Sequence, residues 1–494
     1  MLSSSGRILG HAIAIAIAIA LSAVGLIGAH HNGHREGGAR KRRLLPFAVA
    51  IGFVTVLAGC ATYRPLPLAR HAGLLPGLSS LDTRIPATAD GPPNNINIRQ
   101  PIGIDQIGLL AVLNDPDLRS EWGDMGVAQA GLLQASLLPN PSASLGFAAL
   151  LGGPGSTPSY AASLSQDIAS LVTYHARVSA ARAHLAEVNA TLLWQEWQVA
   201  QKARLLALDI YYGDRSLALS RQTLRLVSRE VRQAQEATAA GNLTLAALAP
   251  LLTAKAAAEQ ALIAANIAQI TQWQSLNALL ALEPDVRFAI AAPDLRRPPP
   301  LDPWISRLPQ RRPDLVALQL GYNSADADLR AAILGQFPAF LLGGSWASDT
   351  TGIASAGPNV TFDLPIFDRN QGRISETKAT RLLLHEQYAA RLDSAVGTAR
   401  GIAAQEYTLS AYLPQVRQAA EAAENLAQTA RNAYMQGNLD QTSLTDYETT
   451  ALQRNLELVD LEKSIDEDTV ALSVELGIGL PMARLVPDNR TGLE

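Results

Sequence analysis

The chain has 494 residues, 48% of them hydrophobic and 17% charged, with 40 basic against 44 acidic side chains and one cysteine. That length could fill two or three conventional cores, whereas one cysteine excludes a disulfide framework and Cys-based zinc sites. The formal charge of −4 lacks the basic excess that nucleic-acid binding requires. Aromatics make up only 5%, and runs such as Ala254-Lys255-Ala256-Ala257-Ala258-Glu259-Gln260-Ala261 put alanine in their place. Alanine-rich stretches without proline predict long helices that pack closely.

Residues 1–59 read as a signal or leader segment. An apolar run at 11–28 has about the minimum length that spans a bilayer. A basic loop follows (Arg35, Arg40, Lys41, Arg42, Arg43), and then a second apolar run from Leu44 to Gly59 ends at Cys60. Charge, apolar stretch and small residues in that order make an export signal. Leu57-Ala58-Gly59-Cys60 resembles a bacterial lipobox, in which the Cys60 thiol takes a diacylglycerol, the chain is cut before it and the new amine is acylated. The alternative is a plain signal anchor. No cofactor is expected beyond this covalent lipid. The run at 11–28 does not fit a single lipoprotein signal; it reads as a start site placed too far upstream or as an extra helix. Cleavage at Cys60 would remove six basic residues and one acidic residue, along with His30, His31 and His34, and leave a chain at about −9. Residues 60–104 form a proline-rich, lipidated leader.

The body is two copies of one unit, at 105–290 and 305–481. Gly241-Asn242-Leu243 recurs as Gly437-Asn438-Leu439, an offset of 196. At nearly the same offset Pro116-Asp117-Leu118 returns as Pro313-Asp314-Leu315, Asp167-Ile168 as Asp363-Leu364, and Leu276 as Leu472. Residues 291–304 form a connector too rich in proline for regular structure, and 482–494 form a tail.

Each copy opens with a helix after Pro-Asp-Leu and continues into two alternating strands. The strands are expected at about 141–150 and 159–168, and at about 338–347 and 358–366. Ala143, Leu145, Phe147 and Ala149 share one face and Ser142 and Ser144 the other; Ala162, Leu164 and Ile168 oppose Ser163, Ser165 and Asp167; Val360, Phe362 and Leu364 oppose Thr361 and Asp363. Their length suits transmembrane strands, with Tyr160 and Trp346 placed for an interfacial aromatic belt. An ordinary soluble hairpin is the competing reading. Long helices follow at about 170–239 and 244–282, and at about 368–436 and 442–476. The first would be about 100 Å long at 1.5 Å per residue, which points to a coiled coil. Gly241-Asn242 and Gly437-Asn438 allow sharp turns. Pro414 is expected to interrupt its helix or change its direction.

Four strands cannot close a barrel, and open edges are not tolerated in lipid. Three chains would supply twelve strands and gather the helices into a tube. The predicted fold class is therefore an α+β membrane protein. Each chain adds four strands to a trimeric 12-stranded outer-membrane β-barrel, together with long antiparallel coiled-coil helices.

From about Ile104 to Pro481 the sequence resembles TolC-type outer-membrane efflux factors. The resemblance rests on Asn114-Asp115-Pro116-Asp117-Leu118, Arg311-Arg312-Pro313-Asp314-Leu315, Leu364-Pro365-Ile366-Phe367-Asp368-Arg369-Asn370-Gln371-Gly372, and Ala433-Tyr434-Met435-Gln436-Gly437-Asn438-Leu439. It implies a homotrimer anchored in outer-membrane lipid, with a periplasmic helical tunnel docked on a periplasmic membrane-fusion adaptor and an inner-membrane RND-type pump. This subunit would be the exit duct of that tripartite efflux system. The turns at Gly241, Asn242, Leu243 and at Gly437, Asn438, Leu439 would lie at the tip where the adaptor docks. Asp446 stands where the family places a pore-facing aspartate, so a threefold acidic ring is expected there. Asp440 is a second aperture candidate, Ser443 replaces an acid found in some relatives, and the first copy has Ala247 and Pro250 in the corresponding places. On this reading only the second repeat is acidic at the aperture. The alternative makes Asp440 and Asp446 solvated turn or cap residues, and Asp466-Glu467-Asp468 reads as a solvated helix face.

No catalytic or metal site is expected. His175 and His184 are nine apart, out of phase on one helix, and His385 has no partner motif. The cargo stays open: Asp368-Arg369-Asn370-Gln371-Gly372 and Leu138-Pro139-Asn140-Pro141 resemble partners of heavy-metal pumps, whereas the lipobox and Arg-Arg-Pro-Asp-Leu suit multidrug members equally. A polypeptide duct of type I secretion and a non-conducting coiled-coil envelope lipoprotein are the alternatives.

Overall fold

The computed structural model describes residues 63, 65–85, 94–155, 157–295, 300–338 and 340–478. The export signal, the run at 11–28, Cys60, residues 296–299 of the 291–304 connector and the 482–494 tail therefore fall outside the described residues. The chain divides into two compact units, 1–72 and 73–494. In the first, the described residues form no helix or strand, and Tyr63, Leu66 and Leu68 are exposed.

The second unit opens with a small antiparallel pair, β1 (Arg84–Ile85) and β2 (Asn94–Asn95). Leu75 and Ile102 then form parallel bridges to Leu282 and Ile290, which fasten this leader to the chain after the first long hairpin. Helices α1 (Ile104–Asn114) and α2 (Pro116–Ser136) follow. The Asp115 carboxylate caps α2 by accepting from the Asp117 and Leu118 amides at 2.8 and 3.0 Å, and Pro116 occupies the first turn, where no amide hydrogen is needed.

The strands are β3 (Ser142–Ala148), β4 (Ser159–Asp167), β5 (Phe340–Ser348) and β6 (Ala354–Phe362), and they form one antiparallel sheet in chain order. Its register sets Leu145 beside Ala162, Ala162 beside Trp346 and Trp346 beside Ala356 on one face. Ser144, Ser163, Ser345 and Gly357 line up on the other face, with the Ser144 and Ser163 hydroxyls 2.8 Å apart. Both faces thus match the expected alternation.

The fourth strand does not lie at 358–366; it begins four residues earlier and stops before Leu364-Pro365. Proline lacks a ladder donor, and Asp363-Leu364-Pro365 instead begins a turn. That turn ends at Asn370, in the left-handed region at φ 62°, whose side-chain amide donates to the Ala332 carbonyl at 2.7 Å. The register slip places Pro358 inside β6 opposite Gly344, on an edge strand where a missing amide hydrogen is tolerated.

The long helices are α3 (Ala169–Ala239) and α4 (Leu245–Leu279) in the first copy. In the second copy, α5 (Pro313–Leu334) precedes β5, and α6 (Gln371–Met435) and α7 (Gln441–Glu475) follow β6. Alanines let them approach closely: Ala180, Ala190, Ala200, Ala203 and Ala207 of α3 and Ala395, Ala399, Ala420, Ala427 and Ala430 of α6 are buried. The main core gathers Ile104, Ile107 and Leu110 of α1 with Ala203, Ala207 and Leu208 of α3, Leu276 of α4, and Val459 and Val470 of α7. Pro414 does not interrupt α6, which is helical throughout. A proline removes one amide donor, and in a helix of 65 residues the remaining backbone bonds keep the chain helical.

Candidate functional site

The two hairpin turns are built alike. In the first, the Asn242 amide donates to the Ala237 carbonyl at 2.8 Å and the Gly241 amide to Thr238 at 3.0 Å. In the second, Asn438 donates to Ala433 and Gly437 to Tyr434, both at 2.9 Å. These paired bonds satisfy the last free carbonyls of each helix and require a left-handed residue, and both glycines have φ 77°. Each return helix then starts on a side-chain cap: Thr244 accepts from the Ala247 amide at 3.3 Å, and Asp440 from the Ser443 amide at 2.9 Å.

Asp440 is thus occupied as a helix cap. Its carboxylate also accepts from the Ser443 hydroxyl at 2.7 Å, and the backbone and side-chain bonds from Ser443 hold its pKa below the ordinary range. Asp446 lies one and a half turns on, exposed on α7. The structure places a first-repeat acid near it: Glu230 of α3, half-buried, has its carboxyl pKa raised by burial and then by the Asp446 charge. An acid of the first repeat thus lies close enough to Asp446 to feel its charge. Sequence reasoning missed Glu230 because it searched position for position across the repeat, and Glu230 sits eleven residues before Gly241 on the outbound helix.

Asp466, Glu467 and Asp468 do not form a solvated face. All three are half-buried against the outbound helices. The Tyr212 hydroxyl donates to Asp466 at 2.7 Å, and Lys463 lies 2.5 Å from Asp209 and 3.5 Å from Glu467. Burial raises the pKa of all three acids. Arg215 of α3 and Arg417 of α6 both bond Glu462 of α7 at 3.1 Å, so charged rungs cross all three helices.

Nearer the sheet, Arg312 of the Arg311-Arg312-Pro313-Asp314 motif is almost fully buried. It donates to both oxygens of Asp314 at 2.9 Å, pairs with Glu475 of α7 and lies over the Trp194 ring of α3 at 4.8 Å. Arg391 of α6 reaches Asp314 at 2.6 Å. One motif therefore ties α3, α5, α6 and α7 together.

The histidines of the second unit have local partners. His184 bonds Glu187 and His385 bonds Glu386, both at 3.1 Å on exposed surface, and His175 packs edge-on against Tyr174. Among the described residues no group of His, Cys, Asp and Glu could hold a metal ion, and no helix is long and apolar enough to cross a membrane. The sheet carries an exposed apolar face, where Leu145 is 88% exposed and Phe147, Leu164, Val360 and Phe362 about half or more.

Residues 304–477, the second repeat, match the family model described as outer membrane efflux protein. No curated protein matches the chain by sequence. Among solved structures, a membrane protein from Pseudomonas aeruginosa aligns with TM-score 0.64 and 20% identity, covering 86% of this chain and all of that one. CusC, described for transmembrane channel formation, aligns with TM-score 0.61 and 17% identity over 76% of this chain and 92% of that one. The outer membrane protein VceC from Vibrio cholerae gives 0.60 and 19%, covering 76% and 96%. The matched family is one of efflux channels and not of enzymes.

Proposed function

We propose, from the match of residues 304–477 to the outer membrane efflux protein family model and from the likeness in fold to solved channel structures, that the chain is the outer-membrane exit duct of a tripartite efflux system. The duct is a homotrimer, lipid-anchored through Cys60, that receives substrate from an inner-membrane RND-type pump through a periplasmic adaptor.

The observation that carries this reading is the sheet. Four strands with one apolar face uncovered and two free edges end at helices 71 and 65 residues long. In lipid a free edge leaves backbone groups unpaired at several kcal/mol each, so β6 of one copy must meet β3 of the next. Three copies give twelve strands. The exposed Ile263, Ile267 and Ile270 stripe on α4, whose main partner among the described helices is α3, supports the same association.

Conductance of the purified full-length assembly in planar bilayers tests the proposal. Cation-selective channels that open further when Asp446 is changed to Ala support it. A protein that never conducts is a spacer and not a duct. Mass spectrometry of the mature N-terminus tests the lipid on Cys60.

A further inference from the structure

The two repeats pass from sheet to helix differently. In the first, the single residue Ile168 separates β4 from α3, whereas in the second the eight residues 363–370 separate β6 from α6. Those eight form a compact turn bonded to itself. The Ile366 amide donates to the Leu364 carbonyl at 2.8 Å, the Asn370 amide to the Asp368 carboxylate at 2.8 Å, the Arg369 amide to the Gln371 side-chain oxygen at 2.6 Å, and the Gln371 side-chain amide to the Phe367 carbonyl at 3.1 Å. The apolar side chains are left outside: Leu364, Ile366 and Phe367 are 69, 64 and 91% exposed. Arg369 donates through Nε to the Pro365 carbonyl at 3.3 Å, and its two terminal nitrogens have no partner among the described residues. Asp363 and Asp368 precede it in the same turn, both exposed.

This turn prolongs the uncovered apolar face of the sheet at its helix end. The face runs from the rung of Phe147, Tyr160, Ser348 and Ala354 to the rung of Phe340 and Phe362, eight residues apart along β5. At about 3.3 Å per residue and a tilt of about 35–45°, it is about 20 Å tall, short of the band of about 25 Å that outer-membrane barrels show to lipid. Leu364 and Ile366 keep the sequence period of Val360 and Phe362 and, with Phe367, lie just beyond the lower rung. They supply the missing height on the helix side.

We infer that the turn at 363–370 is a phospholipid-binding wedge in the periplasmic leaflet of the outer membrane, with Leu364, Ile366 and Phe367 among the acyl chains and Arg369 on a headgroup phosphate. The inference rests on the exit-duct reading for the membrane and for the side on which the helices lie. Apolar side chains beside an arginine with free terminal nitrogens are the combination that holds a segment at a membrane interface. One cation beside two carboxylates complements a headgroup that carries both a phosphate and an ammonium, as an ethanolamine phospholipid does. A glycerol phospholipid, anionic only, would leave the two acids without a counter-charge. Since the first repeat has no such turn, each chain carries one wedge, and a trimer carries three around the foot of its barrel.

The test uses the full chain reconstituted in bilayers and a fluorescent thiol label on Phe367→Cys. Cys60 is the only native cysteine, and the parent chain taken through the same labelling gives its background. Lipid brominated near the headgroup should quench the label at position 367 several-fold more than dissolved iodide does. A label on Leu145→Cys, in the sheet, should respond to lipid brominated near the chain ends, and one on Asn242→Cys, at the hairpin turn, to iodide. Native mass spectrometry of the detergent-released assembly should find phosphatidylethanolamine retained several-fold over phosphatidylglycerol. Arg369→Glu and the milder Arg369→Gln should both lose that preference, while the mobility shift between heated and unheated samples shows that they assemble. Iodide quenching at 367 with lipid quenching at 145 overturns the wedge and leaves the barrel standing; iodide quenching at both overturns both. Shielding of 367 from both quenchers puts the next copy over the turn and overturns the wedge, as does equal retention of the two lipids or a preference that survives both Arg369 variants. Conductance of the same preparation separates the duct: a silent protein with lipid quenching at 145 and 367 keeps the wedge and loses the duct.

Discussion

Arg312 grips Asp314 with two parallel bonds of 2.9 Å while its guanidinium lies against Trp194, so one buried cation joins a helix start to the outbound helix of the other repeat. Burial by itself would raise the Asp314 pKa; the bonds and charges of Arg312 and then Arg391 outweigh it and hold the carboxyl below its ordinary value. Removing Arg312 leaves Asp314 with Arg391 alone, and removing Asp314 leaves Arg312 with Glu475 alone.

Arg312→Ala is expected to destabilise the fold by about 3–5 kcal/mol, because it leaves buried Asp314 with Arg391 alone and half-buried Glu475 without its cation. Thermal unfolding monitored by circular dichroism reads it. The Asp314 contribution has a defined sign: its pKa is lowered on folding, so the stabilisation is complete above the unfolded value and is lost as pH falls through the lower folded value. Asp314→Asn should therefore differ from the parent at neutral pH and converge with it in acid below about pH 4.

Glu230→Gln should raise stability slightly at neutral pH. Burial and Asp446 make the charged form of Glu230 unfavourable in the folded chain, so its raised pKa costs stability once pH exceeds the unfolded value. The gain should vanish below about pH 4, where both states hold the proton. In bilayers the same change should weaken cation selectivity, and Asp446→Asn should weaken it further. Unchanged selectivity in both would separate this acid pair from the pore.

Leu145→Arg places a charge in the middle of the uncovered apolar face and should cost about 2–4 kcal/mol on insertion into the bilayer. Outer-membrane assembly, followed by the mobility shift between heated and unheated samples, should fail or fall sharply. Ser144→Arg, one residue away and on the opposite face, should assemble and alter ion selectivity instead.

Gly437→Ala should destabilise by about 1–2 kcal/mol from backbone strain alone, since φ is 77° and no neighbour lies within 4 Å of the added methyl. Gly241→Ala should behave alike. Equal midpoint shifts in the two variants would show that the turns bear the same load.

The paired turns were legible in sequence because glycine is the residue a left-handed cap demands, and the 196-residue echo marked both at once. The helix ends came within about three residues for the same reason. Strand β6 slipped because alternation continues through Leu364, whereas Pro365 ends the ladder. Glu230 escaped notice because its neighbour Asp446 lies in the other repeat, and only tertiary packing brings the two together. Asp466-Glu467-Asp468 looked hydrophilic and therefore exposed, yet Tyr212 and Lys463 supply partners that composition does not reveal. Pro414 shows that one local breaker does not end a long helix.

The return helices α4 and α7 each contain 35 residues, about 52 Å at 1.5 Å per residue, and each begins within five residues of its glycine turn. Matched arms act as a ruler. A heptad inserted into one hairpin alone would leave its tip about 10 Å out of step with its twin. Such a mismatch would prevent a flat-ended neighbour from sealing the mouth, even with every side chain at the rim unchanged.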